Sequence, residues 1–173
     1  LQYAYRRSAS RLHKAIGEAL RVGRFRHHKI YQEYPVERIA PGFPYRGYKF
    51  DWVVLDLALV IEGHGEQHFQ PVDFGGEGDE KAEENWRDCQ FRDQVKERAA
   101  LDAGFTYIAI PYTDLHLISD EYIMDLYLQH LNPSPLNKSH STTTTQYKQN
   151  LLTRARQYRR ARYKYLKEYR RVP

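Results

Sequence analysis

Apolar and polar positions along the first 131 residues follow two spacings, one typical of helices and one typical of strands. Near the start of the chain, Leu12, Ile16 and Leu20 follow one another at helical spacing. Ser8 and Ser10 precede them, and either serine can cap the helix. Three segments predict helices: residues 8–23, 80–103 and 119–131. Four segments rich in Val, Ile, Leu and aromatic side chains predict strands: residues 30–36, 48–55, 57–64 and 105–111.

Two consecutive strands, residues 48–55 and 57–64, carry apolar side chains on both faces. A strand of this kind belongs in the middle of a sheet that helices cover on both sides. The order of helix, three strands, helix, strand and helix therefore predicts an α/β fold. Residues 132–146, with two prolines and four consecutive threonines, predict a linker after a core that spans residues 1–131.

Two carboxylates interrupt this apolar pair of strands. If Asp56 and Leu57 form a two-residue turn, pairing outward from the turn places Asp51 directly opposite Glu62 on one face of the sheet. The Cβ atoms of such a pair lie about 4.5–5.5 Å apart, a separation that suits two carboxylates sharing one divalent cation. The alternative interpretation is that both acids lie at frayed strand ends and are only solvated.

Two histidines, His64 and His68, follow these carboxylates along the chain. Hydrolysis of a phosphodiester needs an activated water and relief of charge at the phosphorus. A Mg²⁺ or Mn²⁺ ion held by carboxylates provides the charge relief and lowers the pKa of water, and a histidine accepts the proton. The pattern therefore favours metal-dependent cleavage of a nucleic-acid backbone.

The same residues resemble a known family. The segments Phe50-Asp51, residues 59–62 and residues 65–69 resemble the PD-(D/E)XK nuclease superfamily, and within it the very-short-patch-repair-like nucleases that include EDxHD homing endonucleases and phage enzymes. Further similarity lies at residues 16–18, 91–96 and 108–112, so the resemblance covers about residues 8–115. It implies a restriction-endonuclease-like αβββαβ core, with a mixed central sheet flanked by helices, and Mg²⁺-dependent hydrolysis of double-stranded DNA.

The resemblance also implies a role for each matching side chain. Asp51 would be the main metal ligand and Glu62 the second. His68 would be the general base or would orient the attacking water. Glu18 and Asp93 would complete the acidic cluster or position a histidine.

Three more residues have supporting roles in this interpretation. The superfamily has a lysine at the position of His64, so either His64 or His68 could be the proton acceptor. Gln67 would hold substrate or orient His68, and Lys96 lies in the Asp-x-x-Lys segment. Each assignment has a plain alternative: Glu18 as a solvated helix residue, and Asp93 with Lys96 as an ion pair within one helix. Four other histidines are interpreted as isolated: His13, His116, His130 and His140.

Charge is distributed unevenly along the chain. Residues 147–173 contain ten of the 27 Lys and Arg residues but only one of the 22 Asp and Glu residues. Arginines there alternate with tyrosines, a combination suited to phosphates and stacked bases. The sequence therefore predicts a basic helical tail that binds nucleic acid, with these candidate contacts: Arg154, Arg156, Arg159, Arg160, Arg162 and Lys164.

Composition narrows the class of protein further. A single cysteine, Cys89, excludes an intramolecular disulfide and a cysteine-based zinc cluster, and is typical of an intracellular protein. No apolar run reaches the roughly 18 residues that a membrane span needs. The leading expectation is a metal-dependent DNA endonuclease in a bacterium or phage-infected cell. The alternatives are a nucleic-acid-binding or assembly protein without catalysis, and a nuclease specific for RNA or DNA junctions; the oligomeric state is left open.

Overall fold

The computed structural model describes residues 9–73, 75–76 and 78–131. The predicted linker, residues 132–146, and the predicted basic tail, residues 147–173, lie outside the described residues. Within the described ranges, no helix is long and apolar enough to cross a membrane. The helices and strands, in chain order, are α1 Arg11–Leu20, β1 Ile30–Pro35, β2 Lys49–Val54, β3 Leu59–His64, α2 Asp79–Asp102, β4 Thr106–Pro111 and α3 Asp120–Leu131.

The four strands form one mixed sheet in the spatial order β1-β2-β3-β4. Strands β1, β2 and β3 are antiparallel neighbours, whereas β3 and β4 are parallel. Parallel neighbours need a crossover connection, and helix α2 provides it. The predicted α/β class and the predicted order of elements are therefore confirmed.

Apolar side chains fill both faces of the sheet, as the sequence of its central strands predicts. One face packs Trp52 and Ile61 against residues of α1 and α3 such as Ile16 and Tyr127. The opposite face packs Val60 against Ala100 of α2. The central strands are thus packed between two apolar layers, and this packing also fixes the positions of the polar groups at the strand ends.

The hairpin between β2 and β3 has the predicted register. Trp52 pairs with Ile61 and Val54 with Leu59, so one step further along the strands Asp51 lies opposite Glu62. The predicted two-residue turn is wrong in detail. Residues Leu55–Leu57 form a 3₁₀ turn, and Ala58 has a left-handed φ of 49°. The four-residue loop preserves the register because it closes the same pair of strand ends.

Side-chain alternation along β2 breaks near the start of the strand. Phe50 packs with the cluster on the α2 face, although strict alternation would place it with Trp52 on the other face. The break lies beside Glu33 of β1, which has a φ of 51° and is skipped in the strand pairing between Gln32 and Tyr34. A positive φ is costly for a residue with a Cβ, and it marks the edge where the sheet opens into a cleft.

Two of the predicted helix boundaries are visible as caps. The Ser10 hydroxyl accepts a hydrogen bond from the His13 backbone N–H at 3.1 Å, so Ser10 is the N-cap of α1. Gly104 follows α2 with a φ of 80°. Its N–H donates to Leu101 O, and the next N–H, of Phe105, donates to Ala100 O, the pattern that glycine favours at a helix C-terminus.

A methyl group at Gly63 tests how tightly α1 is held on the sheet. A Cβ there would lie 3.2 Å from Leu12 Cδ2 and 3.4 Å from Ile16 Cδ1, and both side chains are buried. We expect Gly63→Ala to lower the free energy of unfolding by about 1 kcal/mol, because overpacking forces neighbours to shift. Urea denaturation measures this loss.

Gly65→Ala is the matched control for this substitution. The three atoms nearest a Cβ at Gly65 would all belong to the amide end of the Gln67 side chain, which is exposed and can rotate away. We expect a change within about 0.5 kcal/mol. Equal stability of Gly63→Ala and the unsubstituted protein would show that α1 is not packed closely at this point.

Candidate functional site

The predicted site residues converge on one open cleft of about 720 Å³ at the end of the sheet. Helix α1, the edge of β1, the 3₁₀ turn Glu66–His68 and helix α2 form its walls. Two of the predicted residues do not line the cleft: Glu18 is exposed on α1, and His64 faces a neighbouring cavity. The predicted residues that line the cleft are Asp51, Glu62, Gln67, His68, Asp93 and Lys96.

Asp51 and Glu62 are locked together by the backbone of the hairpin. The Asp51 N–H lies 3.4 Å from Glu62 Oε1, and the Gly63 N–H donates to Asp51 Oδ2 at 2.9 Å. Each carboxylate is therefore oriented by the strand that carries the other. These backbone contacts fix the positions of the two carboxylates relative to each other.

Burial and mutual repulsion give the two carboxylates different acidities. Glu62 is only 3% exposed, and burial together with the charge of Asp51 raises the pKa of Glu62 to about 8. Burial alone would also raise the pKa of Asp51, but hydrogen bonding from His13 and Gly63 holds it below its usual value. A carboxyl group with this raised pKa is one that a bound cation would stabilise in its charged form.

Lys96 reaches the pair from helix α2. Its ammonium Nζ lies 2.7 Å from Glu62 Oε2, and both side chains are largely buried. The predicted alternative, an ion pair between Lys96 and Asp93, is wrong, because Lys96 pairs with Glu62 across the cleft. Lys96 therefore puts a cationic donor beside the carboxylates, while His64 occupies the place where the superfamily pattern has lysine.

His68 and Asp93 form a second pair on the opposite wall of the cleft. The ring atom His68 Nδ1 lies 2.6 Å from Asp93 Oδ2, and the Gln90 side chain donates to His68 O. Burial alone would lower the pKa of His68, but the hydrogen bonds with Asp93 and Cys89 raise it to about 9. Asp93 thus orients the ring and strengthens it as a base.

The pKa of His64 is shifted in the opposite direction from that of His68. The His64 ring stacks on His68 with centroids 4.2 Å apart. Burial lowers the pKa of His64 to about 4, so this imidazole is neutral at neutral pH. Because His68 lines the cleft and His64 does not, His68 is the histidine placed to exchange protons with a bound water.

His13 is a site residue that the sequence interpretation missed. Its Nδ1 lies 3.6 Å from Asp51 Oδ1, and its Nε2 lies 2.8 Å from the Gln32 amide nitrogen. The interpretation of His13 as isolated is therefore wrong. Helical spacing offered a signal, because His13, Ile16 and Leu20 share the buried face of α1, whereas Glu18 lies off that face.

Glu33 is a second residue that the sequence interpretation did not include. Ligand atoms of Glu33, Asp51 and His13 lie within 4.8 Å of one another. Glu33 has the left-handed φ and is not itself paired in the sheet. Its neighbours Gln32 and Tyr34 pair with the residues on either side of Asp51. Strand alternation gives no hint of it, because the distorted backbone is what directs this side chain toward the cleft.

A basic rim surrounds the acidic floor of the cleft. Arg46, Lys49 and Arg92 line it from three different elements. Lys49 also lies 4.0 Å from Glu33 Oε2. A cleft with carboxylates at its base and cationic side chains at its mouth suits a polyanion whose backbone is drawn toward a metal.

Comparison of the chain with family models, curated proteins and solved structures finds no match.

Proposed function

We propose that this protein is a divalent-metal-dependent endonuclease that hydrolyses phosphodiester bonds of double-stranded DNA. The observation that carries the proposal is the juxtaposition of the Asp51/Glu62 pair with Lys96 and with the His68–Asp93 pair in one basic-rimmed cleft. The order of elements agrees with the restriction-endonuclease-like core that the resemblance implies. Such an activity would operate where DNA is, inside a bacterium or a phage-infected cell.

The residues present fit Mg²⁺ or Mn²⁺. Asp51 and Glu62 offer hard carboxylate oxygens, the donors that these ions prefer. When both are ionised, their two negative charges exceed the single positive charge of Lys96, so the pair retains an excess negative charge in a buried setting. A bound divalent ion would supply charge relief at the phosphorus and an acidified water.

The chain itself supplies proton transfer and positioning. Asp93 orients the His68 ring. In the fraction of protein molecules in which His68 is neutral, His68 takes the proton from the attacking water. Lys96 holds Glu62 in place and presents a cation to a phosphate oxygen. Arg46 and Arg92 bind flanking phosphates and set the direction of the strand, since such contacts position a duplex without reading its sequence.

Cleavage of supercoiled plasmid DNA tests the proposal. We expect nicked or linear product with Mg²⁺ or Mn²⁺, and no product when EDTA is present. Parallel reactions with duplex RNA and with a four-way DNA junction identify the preferred substrate. Binding of DNA without cleavage under any of these metals would favour a non-catalytic nucleic-acid-binding protein instead.

The raised pKa of Glu62 predicts that Mg²⁺ binding depends on pH. Below pH about 8 the Glu62 carboxyl holds a proton that the metal must displace, and metals bind the deprotonated ligand. We expect the Mg²⁺ affinity of the DNA-free protein to rise up to about tenfold per pH unit between about pH 6 and pH 8 and then to level off. Isothermal titration calorimetry measures both the affinity and the proton release.

Glu62→Gln is the matched variant for this titration. It is expected to bind Mg²⁺ more weakly and without the proton release, because the amide does not titrate. Affinity that stays constant across this pH range in the unsubstituted protein would show that Glu62 is not a ligand.

A further inference from the structure

A second group of metal-ligating side chains lies beside the proposed catalytic pair. His64, His68 and Asp93 each offer one ligand atom, and these three atoms lie within 4.8 Å of one another. Cys89 Sγ lies 3.4 Å from His68 Nδ1. His64 is the last residue of β3 and His68 lies in the 3₁₀ turn that follows it, whereas Cys89 and Asp93 are four residues apart on α2, so three neighbouring elements supply the donors.

An unsatisfied nitrogen atom of the His64 ring indicates that a ligand binds beside it. His64 Nε2 is buried, and within residues 9–73, 75–76 and 78–131 no hydrogen-bond partner reaches it. Asp93 Oδ2 lies 3.9 Å from it, beyond hydrogen-bond distance. A buried polar atom without a partner costs free energy, and an ion between His64 and Asp93 would satisfy it.

We propose that His64, His68, Asp93 and Cys89 form a site for Zn²⁺ or a similar transition-metal ion. Two imidazoles, a carboxylate and a thiolate are a donor set that Zn²⁺ prefers and Mg²⁺ avoids. In tetrahedral Zn²⁺ sites, metal–ligand bonds of about 2.0–2.3 Å put the donors roughly 3.3–3.8 Å apart. Asp93 Oδ2 lies 2.6 Å from His68 Nδ1 and 3.9 Å from His64 Nε2, on either side of that range. Cys89 Sγ lies 3.4 Å from His68 Nδ1 but outside the group of three ligand atoms, so its side chain must turn toward the ion to become the fourth ligand.

The ion can reach this group from two sides. His68, Cys89 and Asp93 line the cleft, while His64 and Asp93 also line the neighbouring cavity. Binding replaces the proton shared by His68 and Asp93 with the metal. Zn²⁺ therefore withdraws His68 from proton transfer and inhibits cleavage; this consequence rests on the proposed nuclease function, whereas the metal site itself does not.

Co²⁺ spectroscopy on the full chain tests the site without any activity measurement. We expect visible d–d bands of four-coordinate Co²⁺, together with a thiolate-to-metal charge-transfer band, and loss of both when Zn²⁺ is added. Cys89→Ser should remove the charge-transfer band and keep the ion. His64→Asn and Asp93→Asn should each weaken binding by at least roughly a hundredfold, since even outer-shell partners cost about 10–100-fold.

Two controls keep the result specific. Asp51→Asn removes the proposed Mg²⁺ ligand, and His116→Asn removes an exposed histidine whose Nδ1 lies 3.1 Å from Thr113 O; both should retain the Co²⁺ bands. Absence of four-coordinate bands in the unsubstituted protein, or equal affinity in folded His64→Asn, overturns the site.

A separate experiment measures whether Zn²⁺ binding inhibits cleavage. Zn²⁺ added at constant Mg²⁺ should stop plasmid cleavage, and a zinc-selective chelator should restore it. Undiminished cleavage with Zn²⁺ bound would overturn the inhibition. If the protein binds Co²⁺ through His64 but never cuts DNA, the metal site stands and the proposed nuclease function fails.

Discussion

Replacing Asp51 by asparagine is expected to reduce Mg²⁺-dependent plasmid cleavage by roughly 10³-fold. Charge relief from a catalytic metal is worth several kcal/mol, and each 1.4 kcal/mol is about tenfold in rate. Asparagine keeps an oxygen to accept the Gly63 N–H at the position of Asp51 Oδ2, so the hairpin should stay folded. Initial rates of nicking at saturating Mg²⁺ give the ratio.

Asp56→Asn is the matched control, because Asp56 lies on the same hairpin at the end away from the cleft. Its carboxylate contacts His28 Nδ1 and the Lys29 N–H. We expect Asp56→Asn to cut DNA at the unsubstituted rate. If Asp51→Asn cuts as fast as this control, Asp51 is not a metal ligand and the proposed mechanism is wrong.

Lys96→Met is expected to reduce cleavage by about 10²–10³-fold, the usual cost of removing one donor aimed at developing charge. Methionine retains much of the length of the lysine stem but not the cation that lies 2.7 Å from Glu62 Oε2. Lys81 is exposed on the same helix, and its Nζ lies 2.7 Å from Glu84 Oε2. Lys81→Met should therefore leave cleavage unchanged.

The stability of Lys96→Met distinguishes lost chemistry from lost folding. Removing one partner of a buried ion pair can cost about 3–5 kcal/mol when the other partner stays charged. The Glu62 pKa is already raised to about 8, well above the value of an unfolded chain, so this carboxyl is protonated in the folded state below pH 8. Its protonation favours folding at low pH, and this contribution is lost as pH rises through about 8.

Without Lys96 the folded-state pKa of Glu62 is expected to rise further. The variant should then match the unsubstituted protein in stability near neutral pH and become less stable only above pH about 8. Denaturant unfolding across this pH range measures the gap. A large loss of stability at pH 7, or full activity of Lys96→Met, would contradict the role assigned to Lys96.

Much of the fold could be predicted because local pattern and tertiary packing agree. The apolar runs on either side of Asp56 are long enough to require a central hairpin, and the register then follows from counting outward. The turn itself, with its left-handed Ala58, was predicted less well, since several loops can close the same strand ends.

The residues that form the site were harder to predict, because side chains from elements that are distant in sequence meet there. Asp51 and Glu62 follow from strand register, whereas the partner of Lys96 does not follow from its position on α2, because Glu62 lies on another element. His13 lies on the buried face of α1, and its helical spacing from Ile16 and Leu20 was the signal that could have identified it. Glu33 depends on a distorted backbone that strand alternation does not show.

The measurement closest to the central claim is a crystal structure of the protein soaked in Mn²⁺, with anomalous differences collected at the manganese edge. The proposed function predicts an anomalous peak within coordination distance of both Asp51 and Glu62, and no such peak in Asp51→Asn. A protein that cuts DNA with Mn²⁺ but shows no peak at this pair under saturating metal would contradict the account.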